Sequence, residues 1–341
     1  AAASIHGYAA AGGVLRLDES PIGELDPAKA TDYADSILMF NMYDTLVMPK
    51  QGAAGFDPML AESWTSEGST YTFKLRKDVK FQSGNAMTAD DVVFSLNRMK
   101  AIGQGLSYLF TDVDKAEAVD ASIVEGPEDN GNGALDKGDG EMKDWGQAWL
   151  DTHAAGTGAY SVVSHNPQSE TVMKKNPSYF LGIPAAAPDE VDFKYGLEAA
   201  TVRTLITQGK HDISSQWLPP EVLKALAADG AQLFTEKGTS EFYIKLNTAK
   251  APFDDPECRL AVSYAFDYSA GIKMVTIKDK VSQGSPSTGA LPVGMLGSLP
   301  EGDVIKQDLA KAKEHLAKCK YKPADMKVEL SWIGEVPLEE R

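Results

Sequence analysis

The side chains able to do acid–base, nucleophilic or metal chemistry are five histidines (His6, His153, His165, His211, His315), two cysteines (Cys258, Cys319) and 49 acidic residues. The histidines are scattered, with no pair four apart on one helix face, and neither an H-E-x-x-H zinc helix nor a G-x-S-x-G nucleophile elbow occurs. A Cys–His pair built on Cys258 is compatible with the spacing and has nothing further to support it. The acid pairs Asp90/Asp91 and Asp254/Asp255 precede helical patterns, where capping explains them without proton transfer. Between Asp120 and Asp144 the Asp/Asn/Gly density invites a calcium loop. Counted from Asp129, however, glycines fall where ligands are required, so a solvated loop is the reading. Gly156-Thr157-Gly158 is not followed by the Lys-Ser/Thr of a phosphate loop. The two cysteines form neither a disulfide framework nor a metal-ligand spacing. An exported chain could bridge them, but two separate buried thiols, each on a helix, is the expectation. The residues thus point away from catalysis and resident metal, and no cofactor is expected.

The elements that would carry a binding site are more legible. At 341 residues the chain calls for two or more lobes. With 33 basic against 49 acidic residues the net charge is −16, which argues against nucleic acid or anionic membrane as partner. No apolar run approaches the roughly 20 residues needed to cross a bilayer. The first strand is expected at 14–17 and a helix at 31–46, with Ala34, Ile37, Leu38, Met42 and Leu46 on one face. Tyr71, Phe73 and Leu75 alternate with polar residues as a strand with one buried face, and Val79 and Phe81 supply a second strand. Thr88, three residues before Asp91, caps a helix whose buried side is Val92, Val93, Phe94 and Leu96. Further helices are expected over 199–206, after Pro219-Pro220, from 256 through Asp267, and over 308–319 with Leu309, Ala312 and Leu316 on one face. Strands are expected at 243–247 and 327–332.

The wording of these segments carries more than their periodicity. Leu60-Ala61…Trp64, Tyr71-Thr72-Phe73…Leu75-Arg76, Val79-Lys80-Phe81…Gly84 and Thr88-Ala89…Asp91-Val92…Ser95 follow one another in order. Leu25-Asp26-Pro27, Gly156-Thr157-Gly158-Ala159-Tyr160, Asn176-Pro177-Ser178-Tyr179 and Pro252-Phe253…Asp255…Arg259…Ala261…Ala265…Asp267 continue the series. Together they resemble the family 5 extracellular solute-binding proteins, the peptide-, oligopeptide- and nickel-binding components of ABC importers. The resemblance implies an α/β, periplasmic-binding-protein-like fold (type II, cluster C) whose lobes have mixed β-sheets, with the third subdomain incomplete. Its lobes would be 1–47 and 156–270 (lobe I), 48–155 (lobe II, inserted) and 271–341 (the start of lobe III, truncated relative to the family). The stretch after Asp120 is shorter than in the family. The Cys258 helix has a structural counterpart there.

The resemblance also implies a non-enzymatic protein that closes on a small ligand, most simply a di- or oligopeptide, and delivers it to a membrane ABC permease. It would be a monomer with no nucleic-acid partner. It would be periplasmic or extracellular with its signal peptide removed, in some members lipid-anchored. Nickel chelate, oligosaccharide and opine ligands stay open, as does a secreted enzyme or surface protein reusing the scaffold. The implied ligand-facing residues are Asp44, Tyr108, Gln216, Trp217 and Tyr243. Each has an ordinary alternative: Asp44 as a helix-terminal surface acid, Trp217 as a core anchor before Pro-Pro, Tyr108 as a core side chain. Asp44 and Thr45 stand where the family has Glu and Gly, and Lys245 stands where some peptide binders carry Glu.

Overall fold

The structure, a computed structural model, describes residues 12–50, 55–119, 145–214, 218–234, 243–278, 281–282, 284–292, 295, 297–299 and 305–331. They fall into two compact units divided between residues 216 and 217. The first unit runs β1 (Val14–Glu19), α1 (Tyr33–Met42), β2 (Val47–Pro49), β3 (Phe56–Pro58), β4 (Ala61–Glu67), β5 (Thr70–Leu75) and α2 (Ala89–Ile102). A 3-10 turn at Ser107–Phe110, α3 (Gln147–Leu150), β6 (Tyr160–Asn166), β7 (Glu170–Lys175), β8 (Glu190–Tyr195) and α4 (Ala199–Thr207) complete it.

Its main sheet has the order β1-β8-β7-β6. β1 runs parallel to β8, while β8–β7 and β7–β6 are antiparallel, so the sheet is mixed as expected. In β8 the alternation is plain: Val191, Phe193 and Tyr195 are buried and the residues between them are not. Those three, with Tyr160 and Met173, close against Ala34, Leu38 and Met42 of α1 and against Ile22 and Leu25 of the loop before it.

α1 is shorter than the sequence predicts. Residues 43–46, expected to be its last turn, leave the helix, and Tyr43 is extended. A neighbouring segment takes the place of the missing turn: the Gly158 amide donates to the Met42 carbonyl at 2.9 Å. The approach is so close that a Cβ on Gly156 would lie 1.8 Å from the Met42 oxygen, and one on Gly158 2.3 Å from the Asn41 oxygen. The two glycines are therefore required by contact with the end of α1.

The hairpin also differs from its expectation. β5 pairs with β4 across the Gly68 turn, not with residues 79–81, which form one isolated bridge between Lys80 and Ala86. Tyr71 is 63% exposed, so the alternating face is only partly covered. Val79 is buried all the same, packed with Leu60 and Met87. Thr88 and Asp91 cap α2 reciprocally as predicted. On that helix, though, Val92, Val93, Phe94 and Leu96 are half-buried, and the deeply buried side chains are Asp91 and Arg98.

Arg98 is buried because it has a partner. Its guanidinium grips the fully buried Asp26 carboxylate with two hydrogen bonds of 2.7 and 2.6 Å, and its Nε donates to the Trp145 carbonyl at 2.7 Å. Asp26 also accepts from the Ala28 amide at 2.9 Å. Trp145 presents its carbonyl from a left-handed backbone, φ 58°, unusual for a bulky residue.

The second unit contains α5 (Pro220–Ala228), α6 (Pro256–Ala265), α7 (Tyr268–Met274), β9 (Thr276–Lys278), β10 (Val281–Ser282) and α8 (Leu309–Lys318). Pro220 and Pro256 occupy first helical positions, as the sequence indicates. Asp267 does not belong to α6; it caps α7, accepting from the Ala270 amide. No strand forms over 243–247 or 327–331; the Asn247 carbonyl instead accepts from the Lys250 amide at 3.2 Å in a local turn. On α8 only Ala312 of the expected face is buried. The cysteines, expected as separate thiols, are joined: Cys258 and Cys319 form a disulfide with Cα atoms 5.0 Å apart. They meet because α6 packs along α8, a contact across 61 residues that no local spacing reports.

Two outcomes are expected from this packing. Arg98→Met should lower unfolding free energy in urea by about 3–5 kcal/mol, because it strands a buried carboxylate. The double variant Asp26→Leu/Arg98→Met should be more stable than the single one. Gly156→Ala should cost about 1–3 kcal/mol or more, since the added methyl meets backbone rather than a movable side chain.

Candidate functional site

Four stretches of the first unit converge at the end of α1: residues 42–44, Gln82, 156–160 and 176–179. Gln82 ties them together. Its backbone amide donates to the Gly156 carbonyl at 2.9 Å, and its side-chain amide reaches the carbonyls of Tyr160 (2.7 Å), Met42 (3.3 Å) and Gly158 (3.4 Å). Asn176 adds a side-chain bond to the Gly158 carbonyl at 2.9 Å and turns the chain by accepting from the Ser178 amide.

Asp44 sits in this knot. The Thr157 hydroxyl donates to one carboxylate oxygen at 2.6 Å and the Tyr179 hydroxyl to the other at 3.0 Å. Thr157 is buried and Asp44 half-buried. Among the described residues no cation pairs with Asp44, so the site holds one acid met by two neutral donors. Burial pushes the Asp44 carboxyl above its ordinary value, and the two hydroxyls oppose that shift. Burial, with Asp44 alongside, likewise pushes the Tyr179 phenol upward. Tyr179 packs edge-on against Phe180 at 4.9 Å, and the Arg76 guanidinium lies 5.1 Å from the Phe180 ring centre. An ionised carboxylate in such a place suits a ligand ammonium or another hydrogen-bond donor.

The other expected ligand-facing residues are differently placed. Tyr108 lies on the 3-10 turn, 64% exposed, and makes no hydrogen bond or ring contact with Asp44. It is thus a surface side chain and not the core residue offered as its alternative. Tyr243, in the second unit, is also 64% exposed, with the Lys245 ammonium 5.6 Å from its ring centre. Gln216 and Trp217 lie outside the described residues, as does the 120–144 loop. Thr157 and Tyr179, which bond Asp44, and Gln82, which ties the knot, are not among the expected ligand-facing residues, although two of the three stand in motifs that carry the resemblance. Asp44 lies 113 and 135 residues from its partners Thr157 and Tyr179, and only the fold supplies that link.

No helix among the described residues is long and apolar enough to cross a membrane. The family profile described as bacterial extracellular solute-binding proteins, family 5 (middle), matches residues 55–338. The probable D,D-dipeptide-binding periplasmic protein DdpA of Escherichia coli K12 is 27% identical over 325 residues, 89% of this chain and 61% of that protein. Heme-binding protein A of Haemophilus influenzae is 27% identical over 322 residues, 82% of this chain and 56% of its own. The chain therefore spans about three fifths of the curated relatives it matches. Among solved structures, the oligopeptide-binding protein AppA of Bacillus subtilis, in complex with a nonapeptide, superposes with a TM-score of 0.72 at 20% identity. That match covers 92% of this chain and 65% of AppA, and supports the fold alone. With the mixed α/β architecture in place and the profile running through most of its length, the chain belongs to the family 5 bacterial extracellular solute-binding proteins.

Proposed function

We propose that this chain is the ligand-capturing part of an ABC importer's substrate-binding protein, working outside the cytoplasmic membrane and handing its ligand to a membrane permease without chemical change. The family match over residues 55–338 carries the reading. In this reading residues 1–47 and 156–270 form one lobe, 48–155 an inserted second lobe and 271–341 the start of a third. The Gln82 knot supports the division. Gln82 belongs to the inserted stretch and bonds at once to Met42 and to Gly156–Tyr160, close to both places where the chain would pass between the first two lobes. Such a fixed point is what hinge closure around a ligand requires.

The ligand class we favour is a short peptide, by likeness to the dipeptide-binding relative, with Asp44 meeting a cationic or donor group of the ligand. The heme-binding relative keeps a non-peptide ligand as the second reading. Native mass spectrometry of the protein as purified, followed by calorimetric titration after ligand removal, tests both. A retained or titrated peptide released intact supports capture; fragments appearing with turnover would sink it. Asp44→Ala should weaken peptide binding by about tenfold or more, near 1.4 kcal/mol. Unchanged affinity would remove Asp44 from the site.

The ionisation of Asp44 gives a separate check in the ligand-free protein. Because its folded carboxyl holds a proton at higher pH than an unfolded aspartate, its contribution to stability is greatest below about pH 3.8 and falls as pH rises through the folded value. Relative to wild type, Asp44→Asn should therefore gain in stability as pH climbs through that acid window, read by denaturant titration at a series of pH values.

A further inference from the structure

We propose that the α6–α8 junction is a redox-gated metal site: with the Cys258–Cys319 bond reduced, it binds one thiophilic divalent cation of the zinc type. Three potential donor atoms, the Cys258 and Cys319 sulfurs and an Asp255 carboxylate oxygen, all lie within 4.8 Å of one another. A fourth is at hand, for the Tyr321 carbonyl oxygen lies 3.5 Å from the Cys319 sulfur. Two thiolates and a carboxylate oxygen, with a carbonyl beside one of the sulfurs, suit a borderline-soft ion and are far from the six to eight oxygens calcium takes.

The junction is already ordered for this. Asp255, the buried cap of α6, has one oxygen fixed by the Glu257 amide at 3.0 Å and the other by the Lys320 amide at 2.7 Å. Each oxygen keeps a lone pair beyond those bonds. Cys258 is 3% exposed on the first turn of α6, where the aligned peptide dipoles favour a thiolate. Lys320 and Tyr321 bond Asp254 at 2.7 and 2.9 Å, so the chain just after Cys319 stays anchored to the start of α6 without help from the disulfide.

The steps balance with one named co-reactant, a dithiol reductant. Two electrons and two protons from the dithiol turn the protein disulfide into two thiols, and the reductant leaves as its own disulfide. Cation binding then releases both thiol protons to water and forms two metal–sulfur bonds. Disulfide and metal are therefore mutually exclusive occupants of one place.

The test uses the full chain, reduced under anaerobic conditions and titrated with Co²⁺. The expected result is a thiolate-to-cobalt charge-transfer band saturating at one ion per chain and a raised unfolding temperature of the reduced protein. The band should be absent from the oxidised chain and from Cys258→Ser. Asp255→Asn, which keeps a capping side chain, should weaken binding by about tenfold or more. The proposal is overturned by no band in the reduced chain, by cobalt lowering the unfolding temperature, or by Asp255→Asn binding as tightly as wild type. Should reduction alone unfold the second unit, recovery of its helical circular dichroism on adding cobalt supports the site, and failure to recover overturns it.

Discussion

The Arg98 guanidinium is the charge the first unit is built around. Taking a guanidinium and a carboxylate out of water costs several kcal/mol each, and only near-ideal geometry with further hydrogen bonds offsets it. Here the geometry is two parallel bonds to Asp26, and a third donor, Nε, is taken by the Trp145 carbonyl. Because the pair is intolerable half-made, it enforces register. The loop before α1, the far end of α2 and the chain entering α3 must arrive together or not at all. Lys29, three residues from Asp26, adds a more exposed pairing to Asp151 just beyond α3, so the same two stretches are joined again nearer the solvent.

The Asp44 knot depends on that order. α1 follows directly from the Asp26 loop, and where α1 ends decides where Asp44 stands. Its end is set by the glycine pair at 156 and 158, which come so near the helix terminus that no side chain fits. A single acid is thereby placed in a half-buried position with hydroxyls rather than a cation for company. That is a poor device for stability and a reasonable one for recognition, since a ligand's charge would complete what the fold leaves incomplete.

Much of this could be read from the chain, and the limits have physical causes. Caps at Thr88 and Asp255 and prolines at helix starts are local chemistry, and they stand where the sequence puts them. The ordered phrases from Leu60 to Ser95 pointed to the family and its mixed sheet. What sequence could not show is whatever depends on a distant partner. Val79 and Phe81 have the composition of a strand, yet β5 found its neighbour upstream across Gly68. The helix pattern over 31–46 ran on past its true end because Gly156–Gly158 competes for the Met42 carbonyl. Two cysteines 61 residues apart carry no sign of meeting until α6 and α8 are packed. Of the three residues offered for ligand contact that lie among the described residues, Asp44 alone is held by side-chain hydrogen bonds, and its partners come from motifs recognised for their spelling and not for their reach.

The parallel pairing of β1 with β8 sets a constraint on how the chain matures. Val14 lies opposite Glu190 and Glu19 opposite Tyr195, so β1 has no partner in this sheet until the polypeptide has been produced almost to residue 200. Until then β1 is an unclosed edge, and the entropy of the long loop must be met before any of its hydrogen bonds form. The β4–β5 hairpin and α2, built from neighbours, have no such wait. The closing of the main sheet around β1 is thereby a late event in the folding of the first unit, behind every element that forms from near neighbours.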